Sequence, residues 1–209
     1  SSTLSCMDAN TPATITAIEI GPKLKANGIE NVDGLKVGDT LAYTDSAKTM
    51  TLDTTNVKRT AEDVTFNDTI IIKYNGIDKI VNVTLTIPSF AQLSVDPAYY
   101  SVQASSATSK IFTVTNAGST SAEVTSIDVV RSGIDGTVDT NVTKLTVPAK
   151  GSADFVLRWN SITAVNTGTV TLKYTGGEKA TDTVVAGIFL SANANFLLAE
   201  PIKCTRTTS

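Results

Sequence analysis

The sequence of 209 residues predicts an all-β protein: two antiparallel β-sandwich domains with one extended terminal segment left over. Three observations carry that prediction. Thr and Ser together make up about a quarter of the chain, and Thr beside Val and Ile suits the pleated, half-buried surface of a sheet. Apolar and polar residues alternate in runs from end to end, and no window of ten or more residues shows a convincing 3.6-residue period. Turn dipeptides punctuate the runs at Asn27-Gly28, Asp33-Gly34, Asn75-Gly76, Asp135-Gly136 and Gly176-Gly177. With 41% hydrophobic and only 18% charged residues, the chain can fill one large core or two smaller ones.

Taken in order, residues 1–12 are an N-terminal extension and residues 13–88 the first domain. In that domain residues 81–87 place Val81, Val83, Leu85 and Ile87 on one face and Asn82, Thr84 and Thr86 on the other. Phe66-Asn67-Asp68-Thr69 reads as a turn. Residues 72–79 echo residues 172–179: each has a strand ending in Lys-Tyr, a two-residue turn, then an acid and a lysine. The echo is read as a duplication in which each half ends in the same hairpin. Pro88 stops the ladder and sets the boundary. The second domain, residues 89–190, opens its first strands at Tyr99-Tyr100 with one ring to each side. It continues through alternating runs at Phe112-Thr-Val114, Phe155-Val-Leu157-Arg-Trp159 and Val170-Thr-Leu172-Lys-Tyr174. Trp159 reads as core. Residues 191–209 are a C-terminal extended segment, because the alternation through Ile188, Leu190, Ala192, Ala194, Phe196 and Leu198 outruns an ordinary strand. It either bends near residues 191–195 and returns, or reaches beyond its own domain. Short strands and turns at this spacing are Ig-like.

The residue inventory excludes much chemistry. With no histidine, Ser–His and Cys–His nucleophiles, His-ligated metals and a His pH switch are gone. No Gly-x-Ser-x-Gly elbow, P-loop, Asp-Thr-Gly or Asp-Ser-Gly occurs. The chain is therefore read as a non-enzyme without a cofactor. Asp135, Asp139 and Asn141 offer oxygen ligands for a Ca²⁺ loop, but the EF-hand pattern is missing and a solvated turn is the favoured reading. A net charge of −3 and few arginines make a poor nucleic-acid binder. The longest apolar run, residues 184–190, is far short of a membrane span.

Three Asn-x-Thr acceptors occur at Asn67, Asn82 and Asn141, each in a setting that predicts exposure and hence an N-linked glycan. The opening Ser-Ser-Thr-Leu-Ser-Cys is compatible with a mature end left after cleavage. The two cysteines, Cys6 and Cys204, have no CxxC spacing. A bridge within one chain would close a loop of about 200 residues and contribute about 5 kcal/mol in the chain-entropy model. A bridge between neighbouring copies would rivet a polymer, and two free thiols are the third option.

A first domain of this size is small for a complete sandwich, and exposed strand edges invite another chain. A terminal segment from a neighbouring copy could supply the missing strand, and such head-to-tail contacts generate filaments. The N-terminal segment is the simpler donor, with Leu4, Cys6, Thr14, Thr16, Ile18 and Ile20 as alternating side chains. The C-terminal segment is the other candidate.

The Thr/Ser-rich composition, absence of His, three sequons, two sandwich units and spare terminal strand resemble the subunits of archaeal threads, the thin surface filaments of Sulfolobus-type thermoacidophiles. The resemblance implies a heavily N-glycosylated subunit in an extracellular cell-surface filament, joined to copies of itself by donor-strand complementation, as in bacterial chaperone–usher pilins. Asn67, Asn82 and Asn141 would carry the glycans, and the N-terminal strand would be the donor. The competing expectation is a secreted or cell-wall Ig-like adhesion module that stays monomeric.

Overall fold

The Thr-, Val- and Ile-rich runs fold as strands in a computed structural model that describes residues 1–191. Contacts divide the chain into two units, Ser1–Pro88 and Ser89 onward, each with its own buried cluster.

The first unit contains β1 (Ser2–Leu4), β2 (Ala13–Ile20), a short helix α1 (Pro22–Ala26), β3 (Val32–Asp33), β4 (Thr40–Leu41), β5 (Lys48–Leu52), β6 (Val64–Tyr74) and β7 (Ile77–Ile87). Its main sheet runs β4-β2-β6-β7 and its second sheet β1-β5-β3. The main sheet is built on a hairpin of two 11-residue strands, in register from Val64 opposite Ile87 to Tyr74 opposite Ile77. Asn75 and Gly76 take positive φ angles of 46° and 73°, the two-residue turn whose twist matches the flanking strands. Asn75 is held there by its side chain: Nδ2 donates to the Pro12 carbonyl at 2.9 Å, and Oδ1 accepts from the Thr14 N–H at 3.2 Å.

One local expectation is corrected here. Phe66-Asn67-Asp68-Thr69 is mid-strand in β6, not a turn. Asp68 is in the strand because its carboxylate serves another element, accepting the Leu24 N–H of α1 at 2.9 Å. That bond, first among its causes, holds the Asp68 carboxyl below the ordinary carboxylate range. The turn expected at Asn27-Gly28 is present and closes α1, with Gly28 at φ 89° past the helix end. Ile15 and Ile20 of β2, Ile70 and Ile72 of β6, Leu24 of α1 and Met50 of β5 form the heart of the core.

The second unit contains β8 (Leu93–Asp96), β9 (Tyr99–Gln103), β10 (Ser109–Asn116), β11 (Ala122–Arg131), β12 (Thr137–Thr140), β13 (Leu145–Val147), β14 (Ser152–Asn160), β15 (Asn166–Thr175) and β16 (Asp182–Ser191). Its sheets run β8-β10-β14-β12 and β13-β11-β15-β16-β9. The first follows the A-B-E-D order of an Ig-like sandwich, and β11-β15-β16 follows C-F-G. All pairings are antiparallel except β9 with β16, where the chain has crossed from one sheet to the other after Asp96-Pro97. Inward residues of both sheets share one core. Phe112 and Phe155 stack with ring centroids 5.2 Å apart, and Tyr100 meets Phe112 edge-on at 6.3 Å. Trp159 is buried, and its Nε1 donates to the Ala104 carbonyl at 3.2 Å.

The echo between the halves does not extend to the turn. Residues 176–181 form a loop between β15 and β16. Of the Gly-Gly pair, Gly176 alone takes a positive φ, of 93°, whereas both central residues of the Asn75-Gly76 turn do. Asp182 closes the wider loop by accepting the Lys179 N–H at 3.0 Å.

Candidate assembly cleft in the first unit

The second sheet of the first unit is much smaller than the main one. Its strands have 3, 5 and 2 residues, against 11 in β6 and β7. It cannot cover the main sheet, and a seam opens between the β1 side and β7. At one end lies a cleft of about 790 Å³, whose lining includes the apolar side chains of Ile15, Ile72, Tyr74, Met7 and Ile77. At the other end a recess of about 260 Å³ lies between Met50 and Leu52 of β5 and Val81, Val83 and Leu85 of β7. Along the seam, β7 is the last strand of its sheet and has no pairing partner on its outer side among the described residues. Large apolar side chains stay in water here: Met7 is 83% exposed, Ile77 53% and Ile80 58%.

An unpaired edge presents N–H and C=O groups to an incoming strand, and a cleft beside it takes alternate side chains. Among the described residues no group of three His, Cys, Asp or Glu is placed to hold a metal.

The structure divides the expected donor residues into two groups. Thr14, Thr16, Ile18 and Ile20 lie in β2, between β4 and β6 of the chain's own sheet. Ile18 pairs with Ile72 and Ile20 with Ile70. Ile20 is part of the core, so these four residues are structural in their own unit. Leu4 ends β1, which pairs with β5 at only three positions. Leu4 and Cys6 pack partly buried against the core, and the Cys6 thiol lies 3.5 Å from the Asp8 carbonyl. Cys204, the other half of the expected disulfide, lies outside the described residues.

All three sequon asparagines are exposed. Asn67 and Asn82 share the outer face of the β6–β7 hairpin in reciprocal register: Asn67 is opposite Thr84, and Asn82 is opposite Thr69. Each sequon's Thr therefore faces the other sequon's Asn. Asn67 Oδ1 accepts the Thr84 hydroxyl at 2.7 Å, and Asn141 Oδ1 accepts the Val156 N–H at 2.6 Å. Both contacts use the oxygen rather than Nδ2, the atom that carries an N-glycan.

Asp135, Asp139 and Asn141 do not converge on a cation. Both Asp135 carboxylate oxygens are occupied by donors: the Thr163 N–H at 2.5 Å, Ala164 N–H at 2.9 Å and Asn166 Nδ2 at 2.9 Å. The Thr163 N–H first, then Asn166 and Ala164, hold its carboxyl far below the usual carboxylate range. Arg131 clasps the same loop through the Asp135 and Gly136 carbonyls at 2.6 and 2.8 Å. Asp139 instead pairs with Arg158 at 3.1 Å. The cluster pins loops together.

Sequence reasoning did not single out Met7 and Ile77. One signal was present. Ile80 breaks the alternation of residues 81–87, so apolar side chains stand on both faces where β7 begins, as expected where something covers both.

No protein-family model and no curated protein matches this chain. Solved structures that resemble it include the Escherichia coli chaperone DraB, at 9% identity over 49% of this chain and 56% of that one, with a TM-score of 0.41. The match thus spans little more than half the chaperone. The D00-D0 domain of intimin is 11% identical over 84% of this chain and 85% of that one, with a TM-score of 0.35. A protein of unknown function from Porphyromonas gingivalis W83 is 9% identical over 87% and 86%, with a TM-score of 0.34. The all-β assignment rests on the sheets and registers themselves. No helix among the described residues is long and apolar enough to cross a membrane.

Proposed function

We propose that this chain is a structural subunit of an extracellular, glycosylated surface filament of the thread type, in which copies join head to tail through a terminal strand. One observation carries the reading: the first unit is an underfilled sandwich, with an apolar cleft of about 790 Å³ beside an 11-residue edge strand that has no partner on its outer side among the described residues. A self-contained monomer blunts such an edge with charge, proline or a covering loop. β7 carries the charged Asp78 and Lys79, yet Ile77 and Ile80 stand exposed beside them. Because the cleft and the terminal strand are different surfaces of one molecule, their contact is heterologous and does not close on itself. The exposed asparagines of the three sequons fit a glycan-coated outer surface, and the Thr-rich outer face of β6–β7 gives Asn67 and Asn82 a polar setting.

Electron microscopy and sedimentation of the purified chain test this directly. Filaments that pellet and return to monomer only under strong denaturation are expected. A chain that stays monomeric at all concentrations would sink the filament reading and leave a monomeric Ig-like adhesion module.

A further inference from the structure

The terminal strand itself can be assigned from the shape of the seam. We infer that the seam between β1 and β7 is filled by residues 192–198 of a second copy, running antiparallel to β7. This assignment rests on the filament reading above.

Four observations lead to it. The seam is unequal along its length, with about 260 Å³ beside Val81–Val83–Leu85 and about 790 Å³ beside Ile77. The segment that follows Ser191 has the matching gradient: small side chains at Ala192 and Ala194, then large ones at Phe196 and Leu198, all at alternate positions. Alternate residues share one face of a strand. The small pair fits the narrow end and the large pair the wide end only if the segment runs from Leu85 towards Ile77, antiparallel to β7. The segment is also short enough to lie within the seam: from residue 192 to 198 a strand spans about 20 Å, and from Ile77 to Leu85 about 27 Å.

The third observation is what already occupies the N-terminal segment. Residues 4–9 form one wall of the wide cleft, with Leu4 and Cys6 packed on the unit's own core. A segment that builds the wall of a site in its own chain is not free to fill the same site in the next. Residues 192–209 follow in sequence from β16, the last described strand. Pro201 then stops the ladder shortly after Leu198.

The fourth observation is the cysteines. In this direction the segment leaves the seam at the wide end, whose lining includes Cys6. Cys204 lies six residues beyond Leu198, within about 20 Å of reach in extended chain. The direction of insertion therefore brings the chain's two cysteines, one from each copy, to the same end of the cleft.

The experiment uses full-length filaments treated with copper phenanthroline in air. Two thiolates then lose two electrons to dioxygen and form one disulfide. On a non-reducing gel we expect a ladder of covalent multimers whose linking peptide joins Cys6 to Cys204, absent in Cys6→Ser. Filaments that give only an intrachain link, or no link, overturn the assignment while leaving the filament reading intact. A wild-type chain that never polymerises overturns both. As a second measurement, Phe196→Asp with Leu198→Asp should raise the critical concentration at least about tenfold, the effect of losing about 1.4 kcal/mol. Assembly of that variant at the wild-type concentration overturns the assignment without recourse to the cysteines. If removal of residues 1–12 abolishes assembly while the 196/198 variant assembles normally, the N-terminal segment is the donor instead.

Discussion

Replacing Met7 and Ile77 together by Ser tests whether the cleft is an interface. In an isolated copy Met7 is 83% exposed and Ile77 53%, so neither contributes much to its own fold, and exposed substitutions of this kind change folding stability by about 0.5 kcal/mol or less. An inserted strand would remove most of that surface from water. Complete burial of a Met or Ile side chain stabilises by about 1.5–3 kcal/mol. Scaled to the surface left to cover, Ile77 offers about 1 kcal/mol and Met7 about 1.5 kcal/mol. Incomplete coverage reduces the sum to about 2 kcal/mol, which is about 30-fold in an equilibrium constant. The critical concentration, read as unpolymerised protein left after sedimentation, should rise by about that factor. The melting temperature of the monomer should not move. A critical concentration unchanged within error, in a variant that folds normally, would refute the reasoning, because the exposed apolar walls would then face no partner.

Other expectations concern the two units separately. Phe155→Ala removes one ring of the fully buried Phe112–Phe155 stack and should cost the second unit about 3–5 kcal/mol in denaturant titration; a loss below about 1 kcal/mol would mean the core tolerates the cavity. Gly34→Ala should destabilise the first unit by more than about 1 kcal/mol, since Gly34 has φ 81° and an added Cβ would meet the Thr49 carbonyl oxygen; an unchanged melt contradicts that close approach. Asp135 has a folded-state pKa below its unfolded value, so its contribution is present above about pH 4 and is lost as the pH falls through the lowered folded value. The stability gap between wild type and Asp135→Asn should therefore narrow on acidification below pH about 4, and a gap that stays constant would show that the carboxylate charge is not what the loop uses. Mass spectrometry of native material should find hexose-containing adducts on Asn67, Asn82 and Asn141, and each Asn→Gln change should remove one; unmodified peptides at all three positions would remove the glycan coat from the proposal.

Much of the fold was legible because strand patterning is local. Alternation along residues 81–87 already gives the faces of β7, and Asn75-Gly76 already gives the turn, since two positive φ angles are needed there and those residues accept them. Trp159 and Phe155 could be assigned to the core from their positions in one run. The failures have one physical origin. Asp68 looks like a turn residue until α1 is seen to need a carboxylate at Leu24 N–H. Gly176-Gly177 looks like Asn75-Gly76 until Asp182 and Lys179 are seen to close a wider loop. The partner that decides each case lies elsewhere in the chain.

The candidate site shows the same division more sharply. Sequence alone determined that this is an all-β chain with three Asn-x-Thr sequons, without histidine chemistry, and with an apolar alternation continuing past Leu190, because composition and period are local properties of the chain. Only the tertiary structure decided that β2 belongs to its own sheet, that the second sheet is shorter than the first, and that β7 is an edge strand beside a cleft among the described residues. Those facts depend on which strands pair and how long their partners are. Pairing is set by contacts between residues far apart in the chain, and a local pattern cannot state whether an edge finds a neighbour.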